Sequence, residues 1–143
     1  MTKAFIEAFS VFAAAAVAAD GQIAKEEKDI CKDICNDLEI KWTEFEPMLD
    51  KEIKKVGTLK EDELEKYLKA GSKKIKEEEA NILFEASINL VLADKVLSYE
   101  ECETISAIAE ILDIPTEVLL ARVAFSVQED DIKVDVEDEL SSL

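Results

Sequence analysis

Four carboxylates, Asp20, Glu27, Asp94 and Glu101, form two pairs with the same internal spacing, and the pairs stand 74 positions apart (94 − 20 = 74). Hard oxygens gathered from two such turns would suit Ca²⁺, Mg²⁺ or Mn²⁺ better than zinc or copper. Asp20, Gly21, Ile23 and Glu27 imitate the second half of an EF-hand loop, with Asp20 at position 5 and Glu27 at position 12 of the 12-residue pattern. The imitation is incomplete. Positions 1 and 3 fall on Ala16 and Ala18, and in the second copy on Leu90 and Leu92, none of which offers a side-chain oxygen. A true EF-hand is excluded. The same acids also have a structural reading: Asp20 and Asp94 as turn residues, Ser98 with Glu101 as a capping box, and Glu27 at the equivalent third helical position. A cation site formed by Asp20, Glu27, Asp94 and Glu101 requires the two turns to pack side by side.

The repeat extends beyond the acids. At the 74-residue offset, eight of the 24 positions from 17 to 40 are identical, including Val17/Val91, Ile34/Ile108, Leu38/Leu112 and Ile40/Ile114. About two would match by chance at ordinary composition. The chain therefore reads as two copies of one helical unit.

Composition narrows the chemistry. The sequence has no histidine, which removes the commonest general base, the commonest zinc ligand and every histidine-dependent triad. Cys31 and Cys35 lie one helical turn apart beside Ile34 and Leu38, the placement of small core residues, and the cysteines read as reduced thiols of a cytosolic protein. A net charge of −17 repels nucleic-acid phosphates and anionic membrane. Cations or basic proteins are better matched to it. The charge is uneven, because residues 51–76 hold nine Lys against five acids while the remainder carries −21.

With 143 residues, 48% hydrophobic content, three Gly and two Pro, one all-helical domain is expected and no stretch reads as a convincing strand. Residues 4–19 mimic a secretory leader, but Glu7 interrupts the run and its end has a counterpart at residues 90–93. It is read as the first core helix, about residues 3 to 19, with Phe5, Phe9 and Phe12 at helical spacing and small alanines that admit a neighbouring helix. A second helix spans about 25 to 38. Thr43 and Glu46 suggest a capping box that opens a third near Glu44, with Trp42 as a staple. A connector runs from about residue 60 to 70 and ends at Gly71, and Ser72 caps a long helix through Leu92. The unit then repeats to about Val127, with Ser98 and Pro115 at helix starts. The expected architecture is a seven-helix bundle, all-α, built from two pseudo-two-fold-related three-helix units joined by a connector helix. Residues 1–127 form that domain, and 128–143, with seven acids and one Lys, form an acidic tail that is mobile unless docked.

The motif Ala19, Asp20, Gly21, Gln22, Ile23 and Glu27, its second copy Ala93, Asp94, Leu97, Ser98 and Glu101, and the following Ile105, Ile108, Ala109, Leu112 and Ile114 resemble the TerB-like family of tellurite-resistance proteins, which is related in pattern to the N-terminal domain of the membrane-linked co-chaperone DjlA. The resemblance covers roughly residues 4 to 127. It implies a seven-helix bundle with an internal pseudo-two-fold, a cytoplasmic bacterial setting, and a role in stress or toxic-anion resistance through association with other proteins, some at the membrane. It also implies metal binding through such acids. Lys95 departs from the family's turn glycine. Three functions follow as expectations: a non-enzymatic protein-docking module carrying a Ca²⁺, Mg²⁺ or Mn²⁺ ion at its acidic turns, a metal-regulated sensor, and a metal-dependent hydrolase.

Overall fold

The structure is a computed structural model that describes residues 1–18, 25–93 and 95–135. Among these residues the chain is an all-α bundle of seven helices: α1 (Lys3–Ala18), α2 (Lys25–Asp37), α3 (Trp42–Val56), α4 (Glu61–Ser72), α5 (Glu77–Val91), α6 (Tyr99–Ile111) and α7 (Thr116–Glu129). A small parallel ribbon pairs β1 (Val96–Ser98) with β2 (Lys133–Asp135), in the register Val96↔Lys133, Leu97↔Val134 and Ser98↔Asp135.

Helix α1 is the axis of the bundle. Its residues from Ala8 to Val17 are buried on every side, as expected of a helix apolar all round, and α3, α4, α5 and α6 pack against it. Phe5, Phe9 and Phe12 are fully enclosed, and the Phe9 ring stacks on Phe45 of α3 with centroids 4.9 Å apart. On α5, Leu83, Ala86 and Leu90 face inward.

Gly71 does not end α4, which continues to Ser72. A Cβ at Gly71 would lie 2.7 Å from Val11 Cγ1, so the glycine permits α4 to press on α1. Tyr67 of α4 donates its hydroxyl to Glu52 of α3, and burial together with the Glu52 carboxylate pushes the phenol well above its ordinary range. Ser72 is likewise not the cap of α5, whose N-cap is Lys76.

The offset found in the sequence reappears in the backbone. Shifting Lys25–Asp37 by 74 gives 99–111, the bounds of α6, and shifting Trp42–Val56 gives 116–130, one residue beyond the end of α7. The turns that close α2 and α6 match bond for bond. Ile40 N–H donates to Cys35 O at 2.7 Å and Ile114 N–H to Ala109 O at 2.8 Å, while Glu39 donates to Asn36 O and Asp113 to Glu110 O. Glu39 (φ 59°) and Asp113 (φ 56°) take the left-handed position of these Schellman motifs, and the Ile that follows each packs against the core. That tight turn also explains why the expected Thr43/Glu46 box is absent. After Ile40 the chain re-enters helix at once, with Lys41 as N-cap and Trp42 as the first helical residue, half-buried 6.1 Å from the Phe45 ring.

The expectation of no strand fails at the ribbon, whose three-residue strands are too short to show a period in sequence. The acidic segment expected to begin at Gln128 is folded through Asp135. α7 continues to Glu129, Ile132 is buried in the core, and Lys133 N–H donates to Lys95 O at 2.9 Å.

Candidate functional site

Glu27 is the third residue of α2 and Glu101 the third of α6, and both are buried, at 5% and 4% exposure. The other two acids of the set, Asp20 and Asp94, lie outside the described residues. Among the described residues, no three or more Cys, Asp or Glu side chains assemble where they could hold a metal ion. At Glu101 the capping geometry is explicit. Its Oε1 accepts from Ser98 N–H at 3.1 Å, while its own N–H donates to Ser98 Oγ at 3.2 Å. Burial, and after it the Glu101 charge, raises the pKa of the neighbouring Cys102 thiol.

Lys95, which stands where the first copy of the motif has Gly21, adopts φ 63°. A lysine thus holds a backbone conformation that glycine would favour, and its carbonyl, just before β1, accepts from Lys133 N–H of β2.

A third buried acid escaped the sequence reading. Glu79, 7% exposed, accepts from Lys76 N–H at 3.0 Å and from the Thr2 hydroxyl at 2.8 Å, fastening the N-terminus to the start of α5. The Lys76 amide, then the Thr2 hydroxyl and the nearby positive charges, hold its carboxyl below the usual range against the opposing effect of burial. Glu63 repeats the device by accepting from Lys60 N–H at 3.1 Å. The available signal is a Glu three residues after the N-cap, whatever the cap residue, since the caps here are Lys60 and Lys76 rather than Ser or Thr.

Arg122, the sole arginine of the chain, was also missed. Its side chain is 17% exposed and spans α7 to α5, donating through Nε to Glu85 Oε2 at 2.6 Å, through Nη2 to Asn89 Oδ1 at 3.0 Å and through Nη1 to the buried Ser126 hydroxyl. Beside it, a hollow of about 260 Å³ is bordered by Asp33, Asp37, Lys95 and Asp130, and a shallower apolar one of about 350 Å³ shares Ile34, Asp37 and Asn89 with it. Neither hollow pairs a nucleophile with a base, since Ser126 is tied to Arg122.

Cys31 and Cys35 are fully buried and hydrogen-bonded to each other. The Cys31 thiol is pushed up by that bond and by burial, and Cys35, the acceptor, is lowered by it. They fill the core position that Ile105 and Ala109 occupy on α6, as the apolar spacing indicated.

The outer face of α7 is different in kind. Its inner side turns Leu119, Val123, Ser126 and Val127 toward the core, yet Val118, Leu120 and Phe125 remain 49%, 64% and 59% exposed. Ala121 and Ala124 are exposed between them.

Compared with family models, curated proteins and solved structures, the chain matches none significantly. Among the described residues, no helix is long and apolar enough to cross a membrane.

Proposed function

We propose that this chain is a non-enzymatic docking module of the TerB-like type, its two three-helix halves packed about an approximate two-fold, serving resistance to tellurite or a related stress in the bacterial cytoplasm by holding partner proteins. The observation that carries the docking is the α7 face. Three large apolar side chains, each about half exposed or more, stand together on a surface helix. The lack of histidine and the engagement of Ser126 leave little from which to build a catalytic pair.

The test is co-purification of the full chain from the cells that make it. A partner held by an apolar face stays bound when salt is raised to about 0.5 M, where exposed charge contacts are screened over a few ångströms. A chain that emerges alone, or that loses every companion with salt, contradicts the docking.

A second reading, a divalent cation at Asp20, Glu27, Asp94 and Glu101 that sets how the halves pack, draws support from the burial of Glu27 and Glu101 at the same helical position. It requires Ca²⁺, Mg²⁺ or Mn²⁺ to raise the thermal midpoint more than NaCl of equal ionic strength, and Asp20→Asn or Asp94→Asn to cancel the difference. No divalent-specific shift in the parent chain rules it out.

A further inference from the structure

We infer that the exposed face of α7 is the seat of a cationic amphipathic helix contributed by a partner protein. This rests on the docking reading above and specifies its surface and the partner's chemistry. At 3.6 residues per turn, Leu120, Ala121, Ala124 and Phe125 share one side of the helix, with Val118 at its edge. Glu117 lies at one end of this stripe and Glu129, Asp130 and Asp131 at the other, roughly 18 Å away along the axis. All four acids are exposed.

The only basic residue on α7 is Arg122, which is turned to Glu85 and Asn89 of α5. An apolar stripe with acids at both ends is complementary to a helix that carries an apolar stripe flanked by Lys or Arg. A second copy of this chain is a poor occupant. Two such faces would bring acidic ends and two bodies of −17 together. The remaining residues 136–143 hold three further acids and no base, so they too lack the complementary charge.

The experiment titrates the full chain into a fluorescein-labelled Leu/Lys peptide that forms an amphipathic helix of about four turns, with a scrambled peptide of the same composition as control, and reads anisotropy. The variant is Leu120→Glu/Phe125→Glu, two surface changes whose helicity is checked by circular dichroism. It carries two more negative charges than the parent, so attraction by charge alone would tighten peptide binding. Seating on the apolar face predicts the opposite, a weakening of about 10-fold or more, and preference for the amphipathic over the scrambled peptide.

Equal or tighter binding by the variant overturns the inference, as does equal binding of the scrambled peptide. A parent that is dimeric and becomes monomeric in the variant assigns the face to a second copy instead. Companions from the cell that survive the double substitution would remove the partner from α7 while leaving the docking reading intact, whereas a parent that binds neither peptide nor companion overturns both.

Discussion

At the scale of single residues, close contacts decide more than composition does. Gly71→Ala gains about 1 kcal/mol of helix propensity, but its new methyl meets the stiff, buried Val11 side chain at 2.7 Å. Overpacking of that kind costs about 1–3 kcal/mol. The expected result in chemical denaturation is a net loss, with the sign reversing when the same change is made in a Val11→Ala background. Lys95 presents the opposite balance. The left-handed conformation costs an ordinary residue about 1–2 kcal/mol, while a glycine costs roughly 0.4–1 kcal/mol through the unfolded chain. Lys95→Gly is therefore expected to be neutral or stabilising by up to about 1.6 kcal/mol, and a clear loss of stability would contradict the φ of 63°. Glu79 adds a pH dependence. Its folded pKa lies below its unfolded value, so its contribution is present above the unfolded carboxylate range and is lost as pH falls through the folded pKa. Glu79→Gln should flatten the acid limb of the stability curve, most visibly below about pH 5, and an unchanged limb would show that the contacts from Lys76 and Thr2 do not act on the charge.

At the scale of elements, the order and type of all seven helices were legible in the sequence because three signals agreed: the apolar period, few breakers and the 74-residue offset. Boundaries were less legible. The start of α3 is set by the Schellman turn at Glu39 and Ile40, whose left-handed residue is not a glycine, and the start of α5 by a Lys cap completed by Glu79. The ribbon is formed by segments 35 or more residues apart, which no local pattern reports. The helix positions of two of the four candidate acids were legible as well. The two glutamates recur at the third residue of α2 and α6, but whether such a residue caps a helix or meets an ion depends on turn packing that spacing alone does not specify. Arg122 was invisible because its partners, Glu85 and Asn89, are 37 and 33 residues away. Removing it leaves the buried Ser126 hydroxyl without that donor. Arg122→Ala is expected to cost about 1–2 kcal/mol, with hydrogen exchange in α7 accelerating ahead of exchange in α1 and α5. Uniform acceleration across the bundle would mean that α7 is not held separately.

At the scale of the whole molecule, a well-filled core is joined to a surface dominated by one sign of charge. Among the described residues no buried side-chain nitrogen or oxygen lacks a partner, and the central helix is packed on all sides. The net charge of −17 nevertheless opposes compaction, and NaCl between about 0.05 and 0.5 M should raise the thermal midpoint by screening it. That rise is the baseline against which any divalent effect must be measured. The helices α3 and α7, related by the 74-residue offset, have unequal surroundings: α3 is packed closely on α1, while α7 leaves large apolar side chains in water. The proposed docking face is thus the one of these two helices whose large apolar side chains the core leaves exposed. The most direct measurement is site-specific photo-crosslinking in the cells that make the protein, with the probe at exposed Ala121 on α7 and, as control, at exposed Glu103 on α6. The account predicts a discrete heavier adduct from Ala121 that disappears with Leu120→Glu/Phe125→Glu and is absent from Glu103; no adduct at Ala121, or the same adduct from both positions, would contradict it.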